Sequence, residues 1–306
     1  MNETALLINT ALASGTTLAL AALGLLINER AGVLNLGAEG MMLVAAVAGF
    51  AIAFTTGSDT LGFAAAALAG AALAAVFGLL VIFLNTNQYA TGLALSLFGY
   101  GFSAFVGVGM VGQSLSAREQ HAIPVLSELP FVGPALFSHH PMVYVAMALT
   151  VAIAWFFYRT RAGLLLRAIG ENPEPAHALG YPVRLIRLAA VCAGGALCGL
   201  AGAYVSLVTA PLWVEGLTAG RGWIALALTV FATWRPARAL LGAYLFGGVT
   251  VLQLNLQAQG VAVSSHILTM LPYVATIVVL ALISRNAAFI RLNMPASLGK
   301  PFRPGS

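Results

Sequence analysis

Charge is what this sequence has least of. Only 8% of its 306 residues are Asp, Glu, Lys or Arg, and its one lysine is Lys300. A soluble domain carries about 25% charged residues, so a soluble fold of this length could not cover its surface. Cysteine is almost absent as well. Cys192 and Cys198 lie within one apolar run, which excludes a disulfide framework and reads as packing. No basic residue precedes Arg30, so the positive flank of a cleavable signal peptide is missing and none is expected. A Gly-x-x-x-x-Gly-Lys-Ser/Thr phosphate loop does not occur. Neither do His-Glu-x-x-His, Gly-x-Ser-x-Gly and Cys-x-x-Cys. The chain is therefore not expected to be an enzyme, to hold a metal or to bind ATP by that loop.

What is present is apolar. Residues of the hydrophobic types make up 60% of the chain, beside 33 glycines. Runs such as Thr10–Ile27, Leu61–Leu84, Met142–Tyr158 and Pro272–Ser284 reach or approach the ~20 residues that cross a bilayer. They are continuous rather than alternating, which excludes a β-barrel. The expected fold is all-α, a polytopic membrane protein in which 1–306 forms one transmembrane domain. Nine segments are expected, over 5–27, 37–56, 61–84, 89–112, 141–158, 188–210, 222–235, 239–257 and 266–284. The seventh is short for a span, and no repeat of fixed period is visible.

Basic residues set the orientation. Arg159, Arg161, Arg167, Arg184 and Arg187 crowd the connection 159–187, and Arg285, Arg291, Lys300 and Arg303 the tail 285–306. The positive-inside rule makes both cytoplasmic. Alternation then puts Arg30, Arg235 and Arg238 inside, and the N-terminus and loop 113–140 outside. Only Arg118 and Arg221 fall on the outer side. Pro124, Pro130 and Pro134 exclude a long helix from the outer loop, whose His121, His139 and His140 read as interfacial histidines. The charge of +5 thus follows membrane topology, and no nucleic-acid partner is expected.

Two stretches depart from this pattern. In the connection, Gly170 can end a helix, Asn172 can cap the next, and Pro173 suits its first position. Glu171 and Glu174 lie beside that N-terminus, where a carboxylate is stabilised. Ala176, Ala178 and Leu179 offer a small apolar face before Gly180. A helix this short is marginal alone and reads as a docking element for a cytoplasmic partner. The other stretch is Asn28-Glu-Arg-Ala-Gly-Val-Leu-Asn-Leu-Gly-Ala-Glu-Gly-Met-Met42. Glu29 and Arg30 read as interfacial charges. Glu39 precedes an apolar run, and a carboxylate at membrane depth faces the bundle interior or a wet cavity. Asn35, one helical turn before it, could share its face. A second glycine-broken stretch is Glu215-Gly-Leu-Thr-Ala-Gly-Arg-Gly-Trp223, and paired interruptions point to a translocation pathway. Asn35, Glu39, Asn87, Gln88, Ser96 and Trp223 are the candidate pathway residues. The residues leave open whether Glu39 meets substrate or accepts bonds from neighbouring backbone.

These motifs, together with Asn87-Gln-Tyr-Ala-Thr-Gly-Leu-Ala-Leu-Ser-Leu-Phe98, Arg167-Ala-Ile-Gly-Glu-Asn-Pro173 and the small residues of 196–203, resemble the membrane subunits of bacterial ABC importers. The resemblance covers essentially the whole chain. It is to the ribose/branched-chain amino-acid permease superfamily, in its general nucleoside and simple-sugar branch. It implies uptake through the bacterial cytoplasmic membrane by a complex of this permease with a second, similar permease or its own copy. A separate ATPase that uses ATP-Mg and an extracytoplasmic substrate-binding protein complete the assembly, and no cofactor is expected in this chain. It also implies that Gly170–Gly180 is the coupling helix on the ATPase. Purine nucleosides or related purines are the first expected substrates, simple sugars the second and branched-chain amino acids the third. A reading from another class is an autonomous carrier or channel with Glu39 as its ion or proton site.

Overall fold

The computed structural model of the chain describes residues 3–115, 132–259, 265–284 and 293–303. Apart from one isolated bridge between Ser114 and Leu212, the described regular structure is entirely helical. An apolar solvent requires this, because a helix satisfies its backbone groups internally. In order, the helices are α1 (Glu3–Arg30), α2 (Ala38–Thr56), α3 (Asp59–Gly78), α4 (Gln88–Gly107), α5 (Val132–Leu136) and α6 (Pro141–Arg159). They are followed by α7 (Arg161–Glu171), α8 (Pro173–Ala178), α9 (Val183–Tyr204), α10 (Arg221–Phe231), α11 (Pro236–Ala258) and α12 (Ser265–Ser284). Short π turns extend α3 to Phe83 and α9 to Thr209.

Seven helices among the described residues are long and apolar enough to cross a membrane: α1, α2, α3, α4, α6, α9 and α11 with their extensions. The segment expected over 222–235 is α10, whose 11 residues are too few to cross alone. The last expected segment coincides with α12. Most of the expected outer loop, with Arg118, His121, Pro124 and Pro130, lies outside the described residues.

The bundle is built from two halves with reversed direction. Helix α1 crosses α9 antiparallel, with Ala21 beside Cys198 and Gly24 and Asn28 beside Gly194. Helix α9 also runs antiparallel to α3, where Gly70 lies on Gly195 and Gly199 and Gly62 on Leu207. Helix α1 repeats that contact with α11, where Ala11 and Gly15 lie on Gly247. Helix α2 runs parallel to α9 from Met42–Gly202 to Ala46–Ser206. In the same way α10 runs parallel to α1, from Ala22–Thr229 to Arg30–Trp234. The set α1–α4 thus recurs, inverted, as α9–α12, joined through α5–α8. Inverted repeats of this kind put their binding sites where the halves meet. The sequence shows no period because contact geometry is repeated and residue identity is not. Small residues let the crossing backbones touch, and a side chain at Gly70 would overlap the backbone of α9.

Candidate functional site

Both halves break at the same place. After α1 the chain runs non-helically over 31–37 before α2 starts, and after α9 it does so over 210–220 before α10 starts. The first break begins at Gly32, whose φ of +84° is open to glycine. It then climbs along α4. The Leu34 amide donates to Gln88 Oε1 at 2.8 Å, Ser96 Oγ donates to the Leu36 carbonyl at 2.8 Å, and Gly40 packs against Gly99. From Gln88 to Gly99 is about 16 Å along a helix. The 11 residues of α10 cover a similar ~16 Å between the Glu39 level and the Arg30 end. Against a hydrocarbon core of about 30 Å, the N-termini of α2 and α10 therefore meet near half depth.

Glu39 joins them. Its Oε1 accepts from Thr218 Oγ1 and from the Gly220 amide at 2.8 Å, and its Oε2 accepts from the Gly222 amide at 2.6 Å. The carboxylate is buried, 8% exposed, and occupies the positive end of α10, the position that favours an anion. Arg221 is within electrostatic reach of it but donates its hydrogen bonds to the carbonyls of Leu217 and Thr218, at 3.2 and 3.3 Å. Tyr273 of α12 closes the loop through a hydrogen bond to the Ala219 carbonyl at 3.1 Å. This is the counterpart of Ser96 on the Leu36 carbonyl.

The structure brings Asn35, Glu39, Gln88 and Ser96 to the first break, with a different arrangement from the one expected. Asn35 precedes α2, so it does not share a helical face with Glu39. It folds back instead, accepting from the Gly37 amide at 2.8 Å and donating weakly to Met41 Sδ at 3.4 Å. Asn87 caps α4 through the Tyr89 and Ala90 amides at 2.9 and 3.1 Å. Trp223 lies on the first turn of α10, 39% exposed. Sequence reasoning missed Thr218, Gly220 and Gly222, the partners of Glu39. The glycine-broken stretch marked their region but not their contact.

Three further readings are corrected, two at the Arg30 end and one at the opposite end of the bundle. Glu29 is not an interfacial charge: it is 1% exposed and accepts from Trp234 Nε1. Arg187 is not part of an open connection, because it lies in α9 at 2% exposure and donates to Ser297 Oγ at 2.8 Å. His139 is also buried, with Nε2 3.0 Å from the Ala135 carbonyl, and burial pushes its pKa below the ordinary value. His140 caps α6 by accepting from the Met142 amide at 3.2 Å. A carboxylate and an arginine inside apolar helices were the available signals for Glu29 and Arg187, since such groups need partners.

The short helix α8 forms as its sequence dictates. Asn172 Oδ1 accepts from the Glu174 amide at 3.1 Å, Pro173 takes the first turn, and Gly180 leaves with φ +85°. Helix α7 ends at Glu171, one residue past Gly170, and Gly170 packs directly on the Arg30 backbone. The expected apolar face is divided. Ala176 turns inward onto Ile169, Val183 and Phe302, whereas Ala178 and Leu179 are exposed, Leu179 at 78%. The tail holds this base: Ser297 Oγ donates to the Gly170 carbonyl at 2.7 Å, and the Ala296 amide donates to Glu171 Oε2 at 3.3 Å. Glu174, Ala178 and Leu179 therefore project from an anchored support.

The model of the family described as branched-chain amino acid transport system, permease component, matches residues 7–283. A putative glucose ABC transporter permease protein of Haloferax volcanii is 43% identical, with 97% of each chain covered. A nucleoside ABC transporter permease protein of Lactococcus lactis subsp. cremoris is 31% identical over 92% of this chain and 93% of its own. A guanosine ABC transporter permease protein of Bacillus subtilis is 29% identical over 94% and 93%. No solved structure matches the chain significantly.

Proposed function

The chain belongs to the family of permease components of branched-chain amino-acid transport systems, and we propose that it is the membrane subunit of an ATP-driven importer for a sugar or a nucleoside. The observation that carries the importer reading is α8, a capped and anchored helix whose outer residues Glu174, Ala178 and Leu179 are exposed. An autonomous carrier or channel has no need of such a projection. The carboxylate of Glu39 is already engaged by three donors, which further disfavours an ion or proton site there. Energy then enters at Gly170–Gly180 from a separate ATPase. The solute crosses beside the two breaks, delivered by an extracytoplasmic binding protein, with a second permease or a copy of this chain completing the path.

The relatives bear on the substrate. The 43% identity to a protein named for glucose favours a simple sugar, and two relatives are named for nucleosides. Purine nucleosides, first on sequence grounds, become the second reading. Both solutes are uncharged and rich in hydroxyls, and the uncharged groups near the breaks suit them. An anionic solute would call for several arginines inside the bundle, and Arg221 is the one arginine on the loop that holds Glu39, residues 215–222. Cells expressing the whole transporter are expected to take up labelled glucose or adenosine while ATP is maintained and the proton gradient is collapsed. Inhibition by unlabelled sugars or by purines separates the two readings. Uptake by this chain alone in ATP-free vesicles would overturn the importer.

Nine crossings, with the N-terminus outside and α8 and the tail in the cytoplasm, complete the reading, in the cytoplasmic membrane. Leu179→Cys, at the exposed C-terminal end of α8, is expected to react with an impermeant thiol reagent only after cells are opened. Thr56→Cys, exposed at the opposite end of α2, is expected to react in intact cells. Cys192 and Cys198, half-buried and buried, give the background. The reverse labelling pattern would invert the topology.

A further inference from the structure

Where α1 and α6 end and α11 begins, the bundle forms an open cavity of about 560 Å³ lined by Arg30, Arg167, Arg235 and Arg238, with Tyr158 and Ala154 of α6 as another wall. Among the described residues that line it none is acidic. The arginines are held from behind. Arg30 donates through Nε and Nη2 to the Trp234 carbonyl at 3.2 and 3.0 Å, and through Nη1 to the carbonyl of Asn293, another lining residue, at 3.4 Å. Arg238 donates to Thr233 Oγ1 at 2.8 Å. Arg167 lies over the Tyr158 ring, 5.5 Å from its centre, and its Nε is buried with no hydrogen-bond partner. Glu171 is within electrostatic reach of Arg30, but it does not line the cavity and already accepts from the Ala296 amide.

Four guanidiniums around one space repel one another unless an anion lies among them. Their planar forks match the oxygens of a phosphate in pairs. The position identifies the source of that phosphate. Tyr158 lies in the last turn of α6, at the depth where tyrosines sit among lipid headgroups. Ala154, one turn deeper, continues the same wall into the apolar part of the helix. A free phosphate gains nothing from that wall, whereas a phosphate carrying acyl chains can lay them along it. We propose that this cavity binds the phosphate of an anionic phospholipid headgroup, as basic pockets between spanning helices do. The site lies at the Arg30 end, where the first break begins, about 16 Å along α10 from the Glu39 level.

The test is thermal melting of the purified protein in a neutral detergent, with added phosphatidylglycerol, phosphatidylcholine or inorganic phosphate at matched concentrations. Phosphatidylglycerol is expected to raise the melting temperature by several degrees and the other two to leave it unchanged. Arg167→Gln and Arg235→Gln, made singly, are each expected to weaken the phosphatidylglycerol response about tenfold in concentration. Arg235 is exposed, so its variant remains informative if loss of Arg167 disturbs folding. Equal stabilisation by phosphatidylcholine, or an unchanged response in the Arg235 variant, would overturn the site. An equal effect of inorganic phosphate would overturn the lipid as its source.

Discussion

Replacing Glu39 by leucine is expected to reduce uptake at least about a hundredfold and to lower the melting temperature of the purified protein. The reason is an imbalance of donors. Thr218 Oγ1 and the amides of Gly220 and Gly222 all point at this one carboxylate, and leucine accepts from none of them. A buried donor left unsatisfied costs about 1–3 kcal/mol, and these donors position the start of α10 against the start of α2. Glu39→Gln is expected to be milder, with a loss of about tenfold, since a single lost hydrogen bond to a charged group costs about 1.5–3 kcal/mol. Its carbonyl oxygen can serve Thr218 and Gly220, but its amide group then faces the Gly222 N–H. Uptake assays and melting curves on both variants distinguish the readings. A glutamine variant that is fully stable yet as inactive as leucine would restore a proton-linked role for Glu39. Normal uptake by Glu39→Leu would remove the residue from the mechanism.

The second large effect is expected on α8. Ala178→Trp adds bulk to an exposed position, so expression and melting temperature should be unchanged, while uptake and solute-stimulated ATP hydrolysis fall together by about tenfold or more, the loss expected when a docking contact worth at least about 1.4 kcal/mol is blocked. Glu174→Lys, also exposed, should behave in the same way. Ala176→Trp is the contrast, one turn face away. Ala176 is packed against Ile169, Val183 and Phe302, and an overfilled core costs about 1–3 kcal/mol, so this variant should lose stability as well as uptake. Normal coupled transport by a well-expressed Ala178→Trp protein would remove the docking assignment.

Much of α8 was legible because its signals are local. Asn172, Pro173 and Gly180 act on backbone within a few residues, so the helix start and exit follow from the chain itself. The close packing of Gly170 on the Arg30 backbone was not legible, since it joins residues 140 positions apart. The pairing of Asn35 with Glu39 failed for a related reason. A helical spacing was assumed across residues 35–39, but α2 begins only at Ala38, after a segment held by Gln88 and Ser96 of α4.

Composition and run length are properties of the chain alone, and in an apolar solvent they leave helix as the only economical backbone. The membrane class, the approximate place of each helix and the two glycine-broken stretches therefore follow from the order of residues. What those residues touch does not. Whether Glu39 faced a solute, an ion or a peptide amide depended on where α10 begins, 182 positions later in the chain, and Glu29 required Trp234 for the same reason. Hydrophobicity has no direction and specifies only that a surface is buried. Hydrogen bonds are directional, so their partners, and with them the inverted pairing of the two halves and the arginine-lined cavity, were decided by the packing of distant helices.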